Sequence, residues 1–180
     1  MIELRRANLL ESLETLAESG HLLVVGEPGA GKSWLLKEFV SRRRERGDGV
    51  VFLRAEDHAV ASLSDLYKSI GVTDFLAALR GYSGERKFLV IDSLDSLRTE
   101  GSQRAFRDLI RIVQAEVPTF TVVACIRMFD MQRSPELHEL FPLTGDVLSN
   151  AQEYSARHLL VPVFSETELE ESLADRKSVV

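Results

Sequence analysis

The sequence predicts an α/β fold, a three-layer sandwich in which a parallel five-stranded sheet is covered by helices on both faces. Three observations predict it. Short runs at residues 21–25, 50–55, 88–92, 120–126 and 158–164 are almost continuously apolar, the pattern of strands buried on both faces rather than on one. Between them lie stretches with apolar residues three and four apart, so helices alternate with strands, and that alternation favours parallel pairing. The first apolar run also passes straight into a glycine-rich loop and then into a helical pattern.

A chain of 180 residues, 44% hydrophobic and 28% charged, has enough apolar material for one domain with a real core over residues 1–180. The net charge of -6 argues against nucleic acid as the main partner. No apolar run reaches membrane-spanning length, and the N-terminus is amphipathic rather than a signal peptide. Cys125 is the only cysteine, so no intramolecular disulfide forms. Inside an apolar run it reads as a small buried hydrophobe rather than a reactive thiol, and the compartment expected is cytoplasmic.

Residues 2–18 place Leu9, Leu10, Leu13, Leu16 and Ala17 on one helical face, and Gly20 stops that helix, so residues 1–20 lead into the first strand. Next comes Gly26-Glu27-Pro28-Gly29-Ala30-Gly31-Lys32-Ser33, a G-x-x-x-x-G-K-S phosphate-binding loop, the Walker A pattern. Without Cβ atoms at 26, 29 and 31, backbone N–H groups are free to curl around a phosphate. The following helix adds its positive end to the same anion site. Lys32 supplies a mobile charge for the β- and γ-phosphates, Ser33 a hydroxyl ligand for Mg²⁺, and Trp34 completes the set around the nucleotide. The helix runs from Lys32 to about Arg46 and ends in Arg42, Arg43, Arg44 and Arg46. Cations complement that end of a helix, so this is read as a solvated basic end, with a grip on nucleic-acid phosphates or a partner as the competing reading. Residues 47–49 are a turn.

The second strand, residues 50–55, is followed by Glu56, Asp57 and His58, then by two short helices from Ser62 and over 73–80, broken at Gly71. The run at 88–92 ends in Asp92, the Walker B pattern, in which a buried strand delivers one carboxylate to the metal side of a nucleotide. Asp95 either returns to the same mouth, where it would orient a water for attack on the γ-phosphate, or caps a helix before Leu97. Ser102 is read as the start of a helix with Phe106, Leu109, Ile110 and Val113 on one face. Its outward face carries Arg104, Arg107 and Arg111. The strand at 120–126 ends at Arg127, which reads the γ-phosphate if this strand neighbours the Walker B strand, and is otherwise a surface arginine. Ser134-Pro135-Glu136 starts a helix. Residues 141–150 are turn-rich, the last strand holds Pro162 and so lies at an edge or near its end, and Ser165-Glu166-Thr167-Glu168 is a capping box.

The order of these parts resembles the P-loop ATPase branch that includes the AAA+ proteins. The resemblance implies that the Arg-ended strand inserts between the P-loop and Walker B strands, giving the sheet order 5-1-4-3-2. In such ATPases the segment before the first strand lies against adenine, here around residues 2–6, although a helix packed on the sheet is the competing reading. Within the branch the chain is similar to the STAND class, the signal-transduction ATPases with numerous domains. Leu89-Val90-Ile91-Asp92-Ser93-Leu94-Asp95 matches its apolar-strand-D-x-x-D pattern, and Val122-Val123-Ala124-Cys125-Ile126-Arg127 its arginine-ended strand. Residues 160–169 are similar to the run that leads into a helical lid, so 165–180 would be the start of a truncated or absent lid. Ser96 stands where the class usually has an acidic residue after the second aspartate.

The resemblance implies ATP/ADP and Mg²⁺ as ligands, Lys32, Asp92, Asp95 and Arg127 as the catalytic set, and nucleotide-dependent oligomerisation or control of another domain or a partner protein. The expected function is a slowly hydrolysing ATP switch. The alternatives are a nucleotide-binding module without hydrolysis, a DNA-associated ATPase supported by Arg42 to Arg46, and a small P-loop kinase.

Overall fold

The computed structural model describes residues 2–143 and 156–163, with side chains from residue 8 onward. Five strands form one parallel sheet: β1 (Leu22–Gly26), β2 (Gly49–Arg54), β3 (Lys87–Asp92), β4 (Phe120–Arg127) and β5 (His158–Leu160). Their order is β2-β3-β4-β1-β5, the 5-1-4-3-2 arrangement expected. In register, Gly26 lies opposite Arg127 and Arg54 opposite Asp92, so the carboxyl ends of the central strands share one edge. That edge, where the strand order reverses, is where open α/β sheets bind ligands.

The helices are α1 (Ile2–Glu18), α2 (Lys32–Glu45), α3 (Leu63–Ile70), α4 (Phe75–Arg80), α5 (Glu100–Glu116), α6 (Met128–Gln132) and α7 (Pro135–Leu140). On one face of the sheet, Leu10 and Leu13 of α1 and Leu35 and Phe39 of α2 pack on Val24, Val90 and Val123. On the other, Leu66, Phe106, Leu109 and Leu137 pack on Leu23, Leu89 and Val122. Successive strand residues point to opposite faces, and both faces are covered, so each central strand must be apolar throughout. Each fully buried Leu or Phe contributes about 1.5–3 kcal/mol.

Several boundaries differ from expectation. α5 starts at Glu100, and its cap is Thr99, whose hydroxyl accepts the Ser102 amide. Ser102 sits inside the helix and donates its own hydroxyl to the Val60 carbonyl at 2.6 Å. The short α6 follows β4 directly and is too brief to show a period in sequence. β5 stops at Leu160, although the Val161 amide still donates to the Val25 carbonyl; Pro162 has no N–H to continue the ladder. The capping box at 165–168, the lid segment and most of the turn-rich 141–150 stretch lie outside the described residues, as do the side chains of residues 2–6.

The basic end of α2 departs furthest from its sequence reading. Arg43 follows Leu36, Phe39 and Val40 at helical spacing, so it lies on the buried stripe, and it is only 1% exposed. Its guanidinium packs 5.4 Å from the ring centre of Phe39 and 5.1 Å from that of Phe88. Nη1 pairs with Glu18 at 2.6 Å and Asp48 at 3.4 Å, Nε lies 3.8 Å from Glu14, and Nη2 donates to the Glu14 carbonyl. Arg46 also pairs with Glu14, and Arg44 donates to the Val50 carbonyl. Arg43 is therefore a buried clamp joining α1, the end of α2 and the turn before β2, whereas Arg44 and Arg46 are exposed, as a solvated basic end would have them.

Removing one partner of a buried ionic network leaves the others unpaired. Arg43→Met, which keeps a stem against Phe39 and Phe88, is expected to lower the unfolding free energy by about 3–5 kcal/mol in urea titration; a loss below about 1 kcal/mol would show that the clamp does not hold these elements together.

His21 supplies a pH-dependent contribution. Its Nδ1 accepts the Val122 amide at 3.0 Å, which requires the neutral ring. Burial, and then the nearby Arg157 charge, push its pKa below the ordinary value near 6.5. A depressed folded pKa gives stability that is fully present above the unfolded value and is lost as pH falls through the folded one. Unfolding free energy is therefore expected to decline as pH drops below about 6.5, and His21→Gln to flatten that decline. An equal slope in wild type and His21→Gln would refute the assignment.

Candidate functional site

The loop between β1 and α2 is shaped by its glycines. A Cβ on Gly26 would lie 2.5 Å from the Val161 carbonyl oxygen, so no other residue fits beside the chain leaving β5. Gly31, with φ +89°, is the left-handed residue at the N-terminus of α2. Glu27, Pro28 and Gly29 are exposed, and Ala30 is buried beneath them. Lys32 is buried, and its Nζ donates to the Gly26 carbonyl at 2.9 Å and the Glu27 carbonyl at 3.0 Å. The lysine thus lies back along the loop that a phosphate would occupy. Trp34 is half-exposed on the outer side of the first turn of α2.

Asp92, at the end of β3, is buried, and three donors converge on its Oδ1. These are the Ser33 hydroxyl at 2.9 Å, the Ser93 hydroxyl at 3.2 Å and the Cys125 thiol at 2.8 Å. The Ser33 contact joins the phosphate loop to the Walker B strand across 59 residues of sequence. Cys125 is the buried, unreactive residue expected, and it also hydrogen-bonds Asp92. Burial, and then the Asp92 charge, push its thiol pKa well above the ordinary value, so it remains an S–H donor.

Ser93 is the one non-glycine residue at positive φ among the described residues, at φ 61° and ψ 47°. A left-handed backbone costs a residue with a Cβ about 1–2 kcal/mol. Its amide donates to the Cys125 sulfur at 3.1 Å. The turn feeds a single 3₁₀ turn, Leu94–Ser96, that carries Asp95 back toward β4. There Asp95 pairs with Arg127 Nε at 2.6 Å. Asp95 therefore returns to the mouth and does not cap α5, and Arg127 does lie beside the Walker B end, engaged by Asp95. The Ser96 hydroxyl is buried and makes no hydrogen bond.

A cavity of about 550 Å³ opens beside Asp95, between the 3₁₀ turn, α5 and the α6–α7 pair; Arg98, Arg107, Ile126 and Arg133 are among its lining. Arg104 and Arg111 pair with Asp108 on the outer side of α5, whereas Arg107 turns to the cavity. The expectation of three solvent-facing arginines thus holds for two of them.

Phosphate loop, Walker B carboxylate and strand order together define a P-loop nucleoside-triphosphatase fold. Residues 15–129 match the AAA domain family, and the chain belongs to that family. No curated protein sequence matches it. Solved structures share the fold. DnaA from Aquifex aeolicus, bound to AMPPCP, is 16% identical over 93% of this chain and 50% of its own, with a TM-score of 0.58. Cdc6p from Pyrobaculum aerophilum is 15% identical over 96% and 49%, with a TM-score of 0.63. ORC from Drosophila, bound to DNA, is 15% identical over 96% and 32%, with a TM-score of 0.55. The chain spans about half the length of DnaA and Cdc6p. Among the described residues no helix is long and apolar enough to cross a membrane.

Proposed function

We propose that the chain is the Mg-ATP-binding core of a slowly hydrolysing AAA+ switch. The Ser33–Asp92 hydrogen bond carries this reading, because it brings a phosphate-loop hydroxyl and a strand-end carboxylate to one point. These are hard oxygen donors of the kind Mg²⁺ takes. Among the described residues no group of three or more His, Cys, Asp and Glu could hold a metal ion by itself, which fits a cation shared with phosphate oxygens. Ser33 and Asp92 would hold that Mg²⁺, which when bound neutralises charge on the phosphates.

The chain's own groups divide the remaining work. The backbone from Gly26 to Ser33 and the positive end of α2 bind the phosphates, beside Trp34. Lys32 exchanges its two carbonyl partners for β- and γ-phosphate oxygens. Asp95 is the base that orients the attacking water, and Arg127 contacts the γ-phosphate. Each now satisfies the other, so an incoming γ-phosphate competes with Asp95 for Arg127. That competition favours slow turnover, as a switch requires, and the STAND-like D-x-x-D pattern points to control of an effector or partner.

Calorimetry is expected to show ATP binding that is strengthened by Mg²⁺ and abolished in Lys32→Ala, with phosphate release in Asp92→Ala reduced at least about 100-fold. Brisk release unaffected by Asp92→Ala would end the proposal.

A DNA-associated ATPase is the second reading, supported by a fold shared with DnaA, Cdc6p and DNA-bound ORC. Of the arginine run only Arg43 is enclosed; Arg44 and Arg46 are exposed, although each also makes a contact within the chain. Titration with duplex DNA separates the two. The switch reading expects no binding at about 50 mM salt, whereas binding whose affinity falls several decades as salt rises would favour the DNA-associated one.

A further inference from the structure

We propose that Cys125 is a positioning residue for the metal side of the site: its thiol fixes the Asp92 carboxylate while its sulfur pins the Ser93 turn. The inference rests on the Mg-nucleotide reading and extends it to a residue outside the Walker motifs.

Of the three donors on Asp92 Oδ1, Ser33 stands on the phosphate loop and Ser93 on the turn that Asp92 itself enters. Cys125 alone comes from the neighbouring strand, in the middle of the sheet, where it is 1% exposed. It therefore sets the direction of the carboxylate relative to the rigid β3–β4 pair rather than to a loop. All three hydrogen bonds use Oδ1 and none uses Oδ2. A thiol is a weak donor, so it orients the carboxylate without strongly quenching its capacity to accept from or ligate another group.

The same sulfur accepts the Ser93 amide at 3.1 Å. Ser93 holds a left-handed backbone that its Cβ disfavours, and such strain persists only where surrounding contacts over-determine it. The sulfur supplies one of those contacts. What it steadies is the turn that returns Asp95 to Arg127. One side chain thus sets the placement of both aspartates.

The test uses the full chain and compares nucleotide affinity with Mg²⁺ and with EDTA. Cys125→Val keeps the bulk and removes the donor, Cys125→Ser restores a donor, and thermal denaturation confirms that each is folded. Cys125→Val is expected to lose about tenfold of the Mg²⁺-dependent gain in ATP affinity while its affinity in EDTA stays within about twofold of wild type, and Cys125→Ser to retain most of the gain. Should the branched Val prevent folding, Cys125→Ala takes its place in the same comparison. A donor-free variant with the wild-type gain, or a Cys125→Ser as impaired as that variant, overturns the assignment. If wild type itself shows no Mg²⁺-dependent binding, the nucleotide reading has failed and the role of Cys125 falls with it. A wild-type gain left intact by Val overturns the role of Cys125 alone.

Discussion

β4 lies between β1 and β3, and the site depends on that insertion. Because all three strands are parallel and in register, Gly26, Asp92 and Arg127 finish at one edge of the sheet. Each is carried there by a strand whose residues are buried on both faces, so none is free to drift. A phosphate loop after β1 alone would bind an anion. With β4 beside it, the loop shares its edge with an acidic strand end, Asp92, and a cationic one, Arg127, the pairing on which the proposed Mg-nucleotide reading rests.

The rear of the same layer is held by a different kind of contact. The Arg43 guanidinium is almost fully enclosed, among Phe39, Phe88 and three carboxylates. Isolated burial of that charge would be prohibitive, so the cluster stands or falls as a unit. It ties both ends of the first βα unit together, since α1 supplies Glu14 and Glu18, and Asp48 lies just before β2. The sheet edge that carries the candidate site is therefore backed by a helical layer tied together at its far end.

Most of the fold was legible because strands covered on both faces leave short continuous apolar runs, here bounded by turns and alternating with helical patterns. The phosphate loop was legible because its glycines are demanded by the backbone: at Gly26 a Cβ has no room, and at Gly31 the chain is left-handed. Arg43 was misread because a basic residue near a helix end is ordinarily solvated, yet its spacing from Phe39 and Val40 placed it on the buried stripe. Cys125 is buried and unreactive, as its residue type and apolar surroundings suggested, but its hydrogen bonds to Asp92 and Ser93 were not legible from residue type. Its signal was positional: with β4 beside β3, the residue two before Arg127 falls level with the end of the Walker B strand. Asp95 was legible only as two alternatives, because its direction is set by the left-handed Ser93, and nothing in a serine announces that conformation. The cavity beside Asp95 arises from the packing of α5 against α6 and α7, which a reading of single elements does not assemble.

The contact between Gly26 and Val161 has a mechanical meaning. The first residue of the phosphate loop touches the chain that leaves the edge strand with no clearance for even a methyl group, and the Val161 amide is bonded to the residue just before that loop. Edge strands have one neighbour and are the most easily displaced part of a sheet. A tug on the segment after β5 would move Val161, and with it the carbonyl that lies against Gly26. The phosphate loop and the rim of the sheet are thus in direct steric contact, with only the absence of a side chain at Gly26 between them.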